Sequence, residues 1–269
     1  MCTQPEPHGR SLKPLPLALV MLAAGPAVAD VNVGQPQEIQ QKIELGTNPA
    51  KMSRSLELKD EYLWLNNGIG SNIFRIGYSQ PFGPNLDWSL KVTFPYAALT
   101  GVPGDPTSVG DVGLKLTHVL DVTATHAWAA SAEVFLDTAD QGLGYGQNAG
   151  KATVNYVLFL PSGALFAPTL VQTVGLGGGS AIYDLNVTTT DFYYVPKLAD
   201  PKTMLTFDPS LTYDWANETI YGGLAVTVGR AIGQAFGGTS IVFIKPSILV
   251  GNDRPGDWGV EVGFKVVGF

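Results

Sequence analysis

The sequence predicts an all-β protein, an antiparallel outer-membrane β-barrel of about 12 strands, and three observations carry that expectation. First, segments with two-residue alternation follow one another from Arg54 to the C-terminus, separated by Gly, Pro, Asn and Asp. Most are longer than the roughly 5–6 residues usual in soluble proteins and match the roughly 9–11 that a tilted strand needs to cross a bilayer. Second, the chain is 45% hydrophobic and only 14% charged, yet it lacks an apolar run near the roughly 20 residues of a membrane helix. Its apolar side chains must then lie in a large core or in one-sided rows facing lipid. Third, the N-terminus has the layout of an export signal.

In that signal Arg10 and Lys13 precede the apolar run Leu15 to Ala24, and Gly25-Pro26-Ala27-Val28-Ala29 ends in a small-x-small site. The run is too short to span a membrane, so residues 1–29 read as a signal peptide cleaved after Ala29. Arg10, Lys13 and Glu6 leave with it, taking the net charge from −7 to −8. An acidic chain gives no reason to expect nucleic-acid binding. Cys2 is the single cysteine and leaves too, so stability is expected to come from pairing and packing rather than from a disulfide. Residues 30–53 are polar and do not alternate; a periplasmic N-terminal segment and a small plug inside the barrel both fit them.

The barrel is expected over 54–269. Its strands are expected at about 54–65, 71–80, 87–95, 108–119, 125–136, 151–160, 165–174, 182–195, 203–214, 218–229, 239–250 and 257–267. Phe74, Ile76 and Tyr78 alternate with Arg75, Gly77 and Ser79. Trp88, Leu90, Val92 and Phe94 alternate with Ser89, Lys91 and Thr93, and Val112, Leu114 and Leu116 with Gly113, Lys115 and Thr117. Leu205, Phe207, Leu211 and Tyr213 oppose Thr206, Asp208, Ser210 and Thr212. An even strand count puts both chain ends on one side, with short turns there and longer loops opposite. Ala97 to Thr107 and Asp137 to Gly150 are the long loops, while Ala231 to Gly238 is long for an inner turn. Trp64, Trp88, Trp128, Trp215 and Trp258 fall near strand ends, where interfacial girdles place aromatics. In the last strand the apolar row Trp258 to Val266 runs on even numbers while Phe269 is odd. Either a bulge near Val267 restores the face, or Phe264 is the functional end.

Function should lie in the inward row. Arg75, Lys91, Lys115, Lys151, Lys245 and Lys265 are expected there with Glu133, Asp208 and Glu261, and Asn155 and several hydroxyls between them. On the lipid face a midplane Lys or Arg would cost roughly 2–4 kcal/mol, whereas inside it can hydrate or pair. Two interiors fit equally: a salt-bridged, nearly plugged one, and an open polar lining that sets selectivity. Catalytic and metal chemistry find little support. The exported chain has two histidines, His118 and His126, with no serine or carboxylate clearly arranged beside them. There is no calcium-loop spacing, and Gly175 to Ser180 lacks the Lys and the helix of a phosphate loop. No cofactor is expected.

Ser71-Asn72-Ile73, the WSLKVTFP run at 88–95, the Pro/Gly-rich loop and Gly110-Asp111-Val112-Gly113-Leu114-Lys115 resemble the outer-membrane proteins of the phenol-degradation (MetA-pathway) family, and more distantly the fatty-acid and aromatic-hydrocarbon transporters. Asn48-Pro49-Ala50 is similar to a triplet in the plug of those transporters. The resemblance implies a passive outer-membrane channel for a small hydrophobic or aromatic solute. Its partners would be outer-membrane lipid, the solute and the outer-membrane assembly machinery. A lipid-acting enzyme and a structural barrel without a pore are the alternatives.

Overall fold

The computed structural model describes residues 45–48, 51–140, 142–179 and 184–269. The expected signal peptide, most of the 30–53 segment and Pro49-Ala50 lie outside them. The described strands are β1 (Ser55–Leu65), β2 (Gly70–Phe82), β3 (Trp88–Thr100), β4 (Thr107–Val109), β5 (Val112–Val122), β6 (His126–Leu136), β7 (Asn148–Phe159), β8 (Leu165–Gly177), β9 (Asn186–Val195), β10 (Thr203–Asp214), β11 (Thr219–Ala235), β12 (Gly238–Val250) and β13 (Gly256–Val267). Each long strand pairs antiparallel with its neighbours, β1 pairs with β13, and the β2–β3 ladder closes the ring. Among the described residues this is a closed antiparallel barrel of twelve long strands, with β4 as a short flap on β3. Closure leaves no sheet edge, so every long strand finds a partner on both sides.

Period-two alternation decides which side chains face out. Phe74, Ile76 and Tyr78 are exposed on β2, Leu90, Phe94 and Tyr96 on β3, and Val242, Ile244 and Ile248 on β12. The residues between them turn inward and are buried or half-buried. Aromatic pairs mark both rims of this outer band. Trp128 and Tyr156 meet at 4.5 Å at the turn end, and Tyr62–Trp258 and Tyr213–Trp215 meet at 5.7 Å and 4.6 Å at the loop end.

The structure corrects four details. The expected fourth strand is two: β4 turns back onto β3, and Gly110-Asp111 breaks the chain before β5, with the Gly110 N–H donating to the Pro95 carbonyl at 2.9 Å. The long turn expected at 231–238 is mostly strand, because Phe236 and Gly237 take φ of 53° and 86° and close β11–β12 as a two-residue hairpin. Such a pair of positive φ values matches the twist of the flanking strands. The eighth expected strand, 182–195, is β9 and begins at Asn186, later than expected. From Trp258 the register runs unbroken to Val267 on both neighbours, so there is no bulge near Val267. Gly268, at φ 76°, then turns the chain, and Phe269 packs near Phe236 with the Arg54 guanidinium over its ring.

A carboxylate interrupts the outward row of β1. Asp60 occupies the middle of the β1 outward row, opposite Phe74 on β2 and Val262 on β13. Carboxylates on a lipid face are costly, though less so than Lys or Arg. Asp60→Leu is therefore expected to raise the unfolding free energy in lipid vesicles by roughly 1–2 kcal/mol. A loss of stability in urea titrations would instead mean that this carboxylate is engaged by a partner.

Candidate functional site: the lumen

The inward row concentrates its charges in a belt across the middle of the strands. Register places Lys91, Lys115, Glu133 and Lys151 side by side on β3, β5, β6 and β7. Glu57 lies opposite Lys265, and Glu61, Glu261 and Lys245 lie in line on β1, β13 and β12. Ion pairs lace the belt together: Lys91–Glu57 at 2.5 Å, Arg75–Glu61 at 2.7 Å, Lys151–Glu133 at 2.9 Å, Lys59–Glu261 at 3.3 Å, Lys245–Asp208 at 3.5 Å and Lys265–Glu57 at 3.6 Å. Burying these charges is tolerable because each pair offsets part of its desolvation cost.

The expected residues Arg75, Lys91, Lys115, Glu133, Asp208, Lys245, Glu261 and Lys265 are all placed on this inner face. Asn155 is inward as well, below the densest charge, and accepts a hydrogen bond from the Thr169 hydroxyl at 2.8 Å. Glu57, Lys59, Glu61 and Asp191 are further members that the sequence did not single out. On β1 the signal is blurred because Asp60 sits among the outward Leu56, Leu58 and Tyr62. Asp191 stands in a run of threonines and aromatics whose parity is weak.

A roof covers the belt at the loop end. The loop between β6 and β7 reaches over the mouth: Leu143 is buried with Leu63, Ile73, Ala97 and Leu99 on the inner faces of β1–β3, two to four strands round the ring from β6. Tyr145 packs with Phe135, Ala149, Leu185 and Val187. Asp111, only 2% exposed, anchors the loop. Its carboxylate accepts the backbone N–H groups of Tyr145 at 2.6 Å, Ala139 at 3.1 Å and Thr138 at 3.2 Å. Burial pushes the Asp111 carboxyl up despite those donors. The Thr138 hydroxyl completes the clasp by donating to the Gly110 carbonyl at 2.8 Å and accepting from the Val112 N–H at 3.0 Å. A Cβ on Gly144 would collide with the Asp111 carboxylate, which is why no side chain fits there.

At the turn end the described N-terminal residues lie within the barrel wall. The Gly46 carbonyl accepts a hydrogen bond from Lys265 at 3.4 Å on one side. On the other, Met52 is 2% exposed against Val119 and Ala129. Between floor and roof a cavity remains, bounded by belt residues such as Glu57, Lys59, Asp208, Lys245 and Glu261 and by the apolar Ile241 and Phe243.

The two histidines are held apart from this space. The His118 imidazole lies under the Trp88 indole, ring centroids 3.9 Å apart, with its Nε2 at 3.3 Å from Asp87. His126 is clasped by the hydroxyls of Thr123 and Thr125 at 3.0 Å and 3.2 Å in the β5–β6 turn, with Asp121 at 3.9 Å. Each histidine thus has a carboxylate neighbour that the sequence did not reveal. Thr123 is a turn-capping group that also accepts the N–H groups of Thr125 and His126. Among the described residues no cluster of three or more His, Cys, Asp or Glu could hold a metal ion.

A closed, one-chain antiparallel barrel of twelve long strands, apolar outside and charged within, is the architecture of transmembrane β-barrels. No family model and no curated protein matches the chain. Solved structures do. The COG4313 outer membrane channel from Pseudomonas putida F1 superimposes with a TM-score of 0.67 at 11% identity, covering 80% of this chain and 95% of that one. The KdgM porin in complex with disordered oligogalacturonate gives 0.55 at 8% identity, covering 79% and 98%, and the NanC porin 0.54 at 11% identity, covering 80% and 99%. At such identities the likeness is one of fold.

Proposed function

We propose that this protein is a passive outer-membrane channel for small solutes, folded into the outer membrane by its assembly machinery and embedded in outer-membrane lipid. The observation that carries the reading is the charged belt running round the interior of a closed barrel whose outer face is apolar. Ion-paired belts are costly to build into a core that only needs to be filled, because apolar side chains of similar volume would stabilise it as well or better. A channel, in contrast, needs a hydrated waist. The fold shared with channels and porins supports the same reading.

The apolar clusters around Leu143 and Tyr145 above the belt and around Met52 below it favour small aromatic solutes that carry a polar handle, in keeping with the resemblance to the phenol-degradation family. A plain hydrocarbon would have to cross the charged belt. Residues 45–48 and Met52 serve as a floor and the Leu143–Tyr145 stretch of the β6–β7 loop as a roof, and solute passes when they part. Reconstituted liposomes test this directly: arabinose and the membrane-impermeant aromatic anion benzenesulfonate should permeate faster with the protein than without it. Vesicles that stay impermeable to both, with the barrel shown intact by its heat-dependent migration in detergent gels, would remove the channel reading.

A further inference from the structure

Two neighbouring carboxylates on the lumen wall keep oxygens that no donor of the wall answers. Asp191 is 7% exposed and faces inward between Thr169 on β8 and Ser210 on β10. It makes no hydrogen bond or ion pair among the described residues. The Thr169 hydroxyl has a single proton and spends it on Asn155 at 2.8 Å, so it has none for Asp191. Asp208 stands two residues along β10 from Ser210, on the same inward row, and is 6% exposed. Lys245 reaches its Oδ2 atom at 3.5 Å, while its Oδ1 atom is buried without a donor among the described residues. Ala225, its neighbour in register on β11, has no polar side chain to offer. Diagonal neighbours of this kind hold their Cβ atoms about 7–8 Å apart, so both carboxylates can reach one small group between them. Buried acceptors left unmatched are costly, and a water molecule would supply donors while leaving the charge uncancelled. Asp208 also opens onto the lumen cavity, whose wall includes Tyr193, Ile241 and Phe243.

We propose that Asp191 and Asp208 form a site for the primary ammonium group of a small amine, which deepens the channel reading on which it rests by naming the polar handle of the solute. Such a group brings three N–H donors and one positive charge. It donates to Asp191 and to the Oδ1 atom of Asp208 at about 2.8 Å each. The hydroxyl oxygens of Ser210 and Thr169, in register beside Asp191, are the acceptors nearest for its third donor. Lys245 supplies the precedent, since its own ammonium takes the other oxygen of Asp208. The carbon part of the amine lies in the cavity, against Tyr193, Ile241 and Phe243. A metal ion suits the pair less well. Calcium takes roughly six to eight oxygens, and among the described residues no three or more His, Cys, Asp or Glu side chains gather to supply them. A quaternary amine brings the charge without the donors, and leaves both carboxylates without hydrogen bonds.

Protonated valinol and choline separate the donors from the charge, because they are isomeric cations of which the first has three N–H donors and the second has none. In planar bilayers with gluconate as the common anion, the reversal potential should give valinol a permeability roughly two- to fivefold that of choline, the worth of one partly hydrated ion pair. Asp191→Asn should remove that preference. The same variant should raise the urea midpoint of unfolding in vesicles, because it takes away a buried charge that has no partner. A conducting channel that does not prefer valinol, or a preference that survives in Asp191→Asn, overturns the site and leaves the channel standing. A lower urea midpoint in Asp191→Asn, or failure of the variant to fold, also overturns it, since Asp191 would then be held by a partner within the protein. If potassium chloride carries no current through the unmodified protein, the channel reading falls and the site falls with it.

Discussion

Replacing Asp111 with alanine is expected to raise single-channel conductance several-fold in planar bilayers while the barrel stays folded. The carboxylate is the common acceptor for three backbone N–H groups of the β6–β7 loop, and those bonds hold Leu143 and Tyr145 across the mouth. Hydrogen bonds to a charged group each contribute about 1.5–3 kcal/mol, and the three share one anchor. Losing about 3 kcal/mol from the docked loop shifts its closed-to-open ratio by roughly 100-fold. The barrel ladders do not depend on Asp111, which sits between β4 and β5, so heat-dependent migration in gels should be unchanged. Asp111→Asn should fall between the two, since it keeps one acceptor oxygen but turns an amide toward a backbone N–H. Conductance unchanged in both variants would mean that the apolar contacts of Leu143 hold the roof without the clasp.

That latch illustrates what the sequence could and could not disclose. Asp111 was visible as part of a short motif before an alternating segment, but its partners lie in a loop 27 to 34 residues away, and no local pattern announces such a contact. The barrel was legible because membrane strands impose a two-residue rhythm over long runs, and that rhythm survives one or two exceptions. Strand ends were less so. The β11–β12 turn depends on Phe236 adopting a positive φ, which no residue preference would forecast. The inner charges on β3, β5 and β12 were readable because each stands alone among apolar neighbours. Glu57, Lys59 and Glu61 were hidden by the polar texture of β1, where Asp60 faces outward and erases the contrast on which parity depends. Pairing across the lumen lies beyond sequence altogether, since it depends on how far the sheet is sheared before it closes.

The other large effect is expected at Glu133. Its carboxylate is 8% exposed and takes the Lys151 ammonium at 2.9 Å, with Lys115 beside it in register and Lys91 one strand further on. Glu133→Gln keeps the shape and removes the charge, leaving Lys151 without the carboxylate that it pairs with. Breaking a buried pair from one side costs about 3–5 kcal/mol, and the low end applies because the Lys151 side chain keeps 17% exposure. Urea unfolding in vesicles should therefore show a loss of about 3 kcal/mol. In bilayers the same variant should shift the reversal potential toward anions, because surplus positive charge in a narrow waist concentrates counter-ions. The double variant Glu133→Gln/Lys151→Gln restores the charge balance and should recover most of both effects. If the single and double variants lose equal stability, the two side chains are not coupled and the belt is held by its backbone ladders. If selectivity alone fails to move, solute does not pass the belt, and the lumen is a filled core rather than a path.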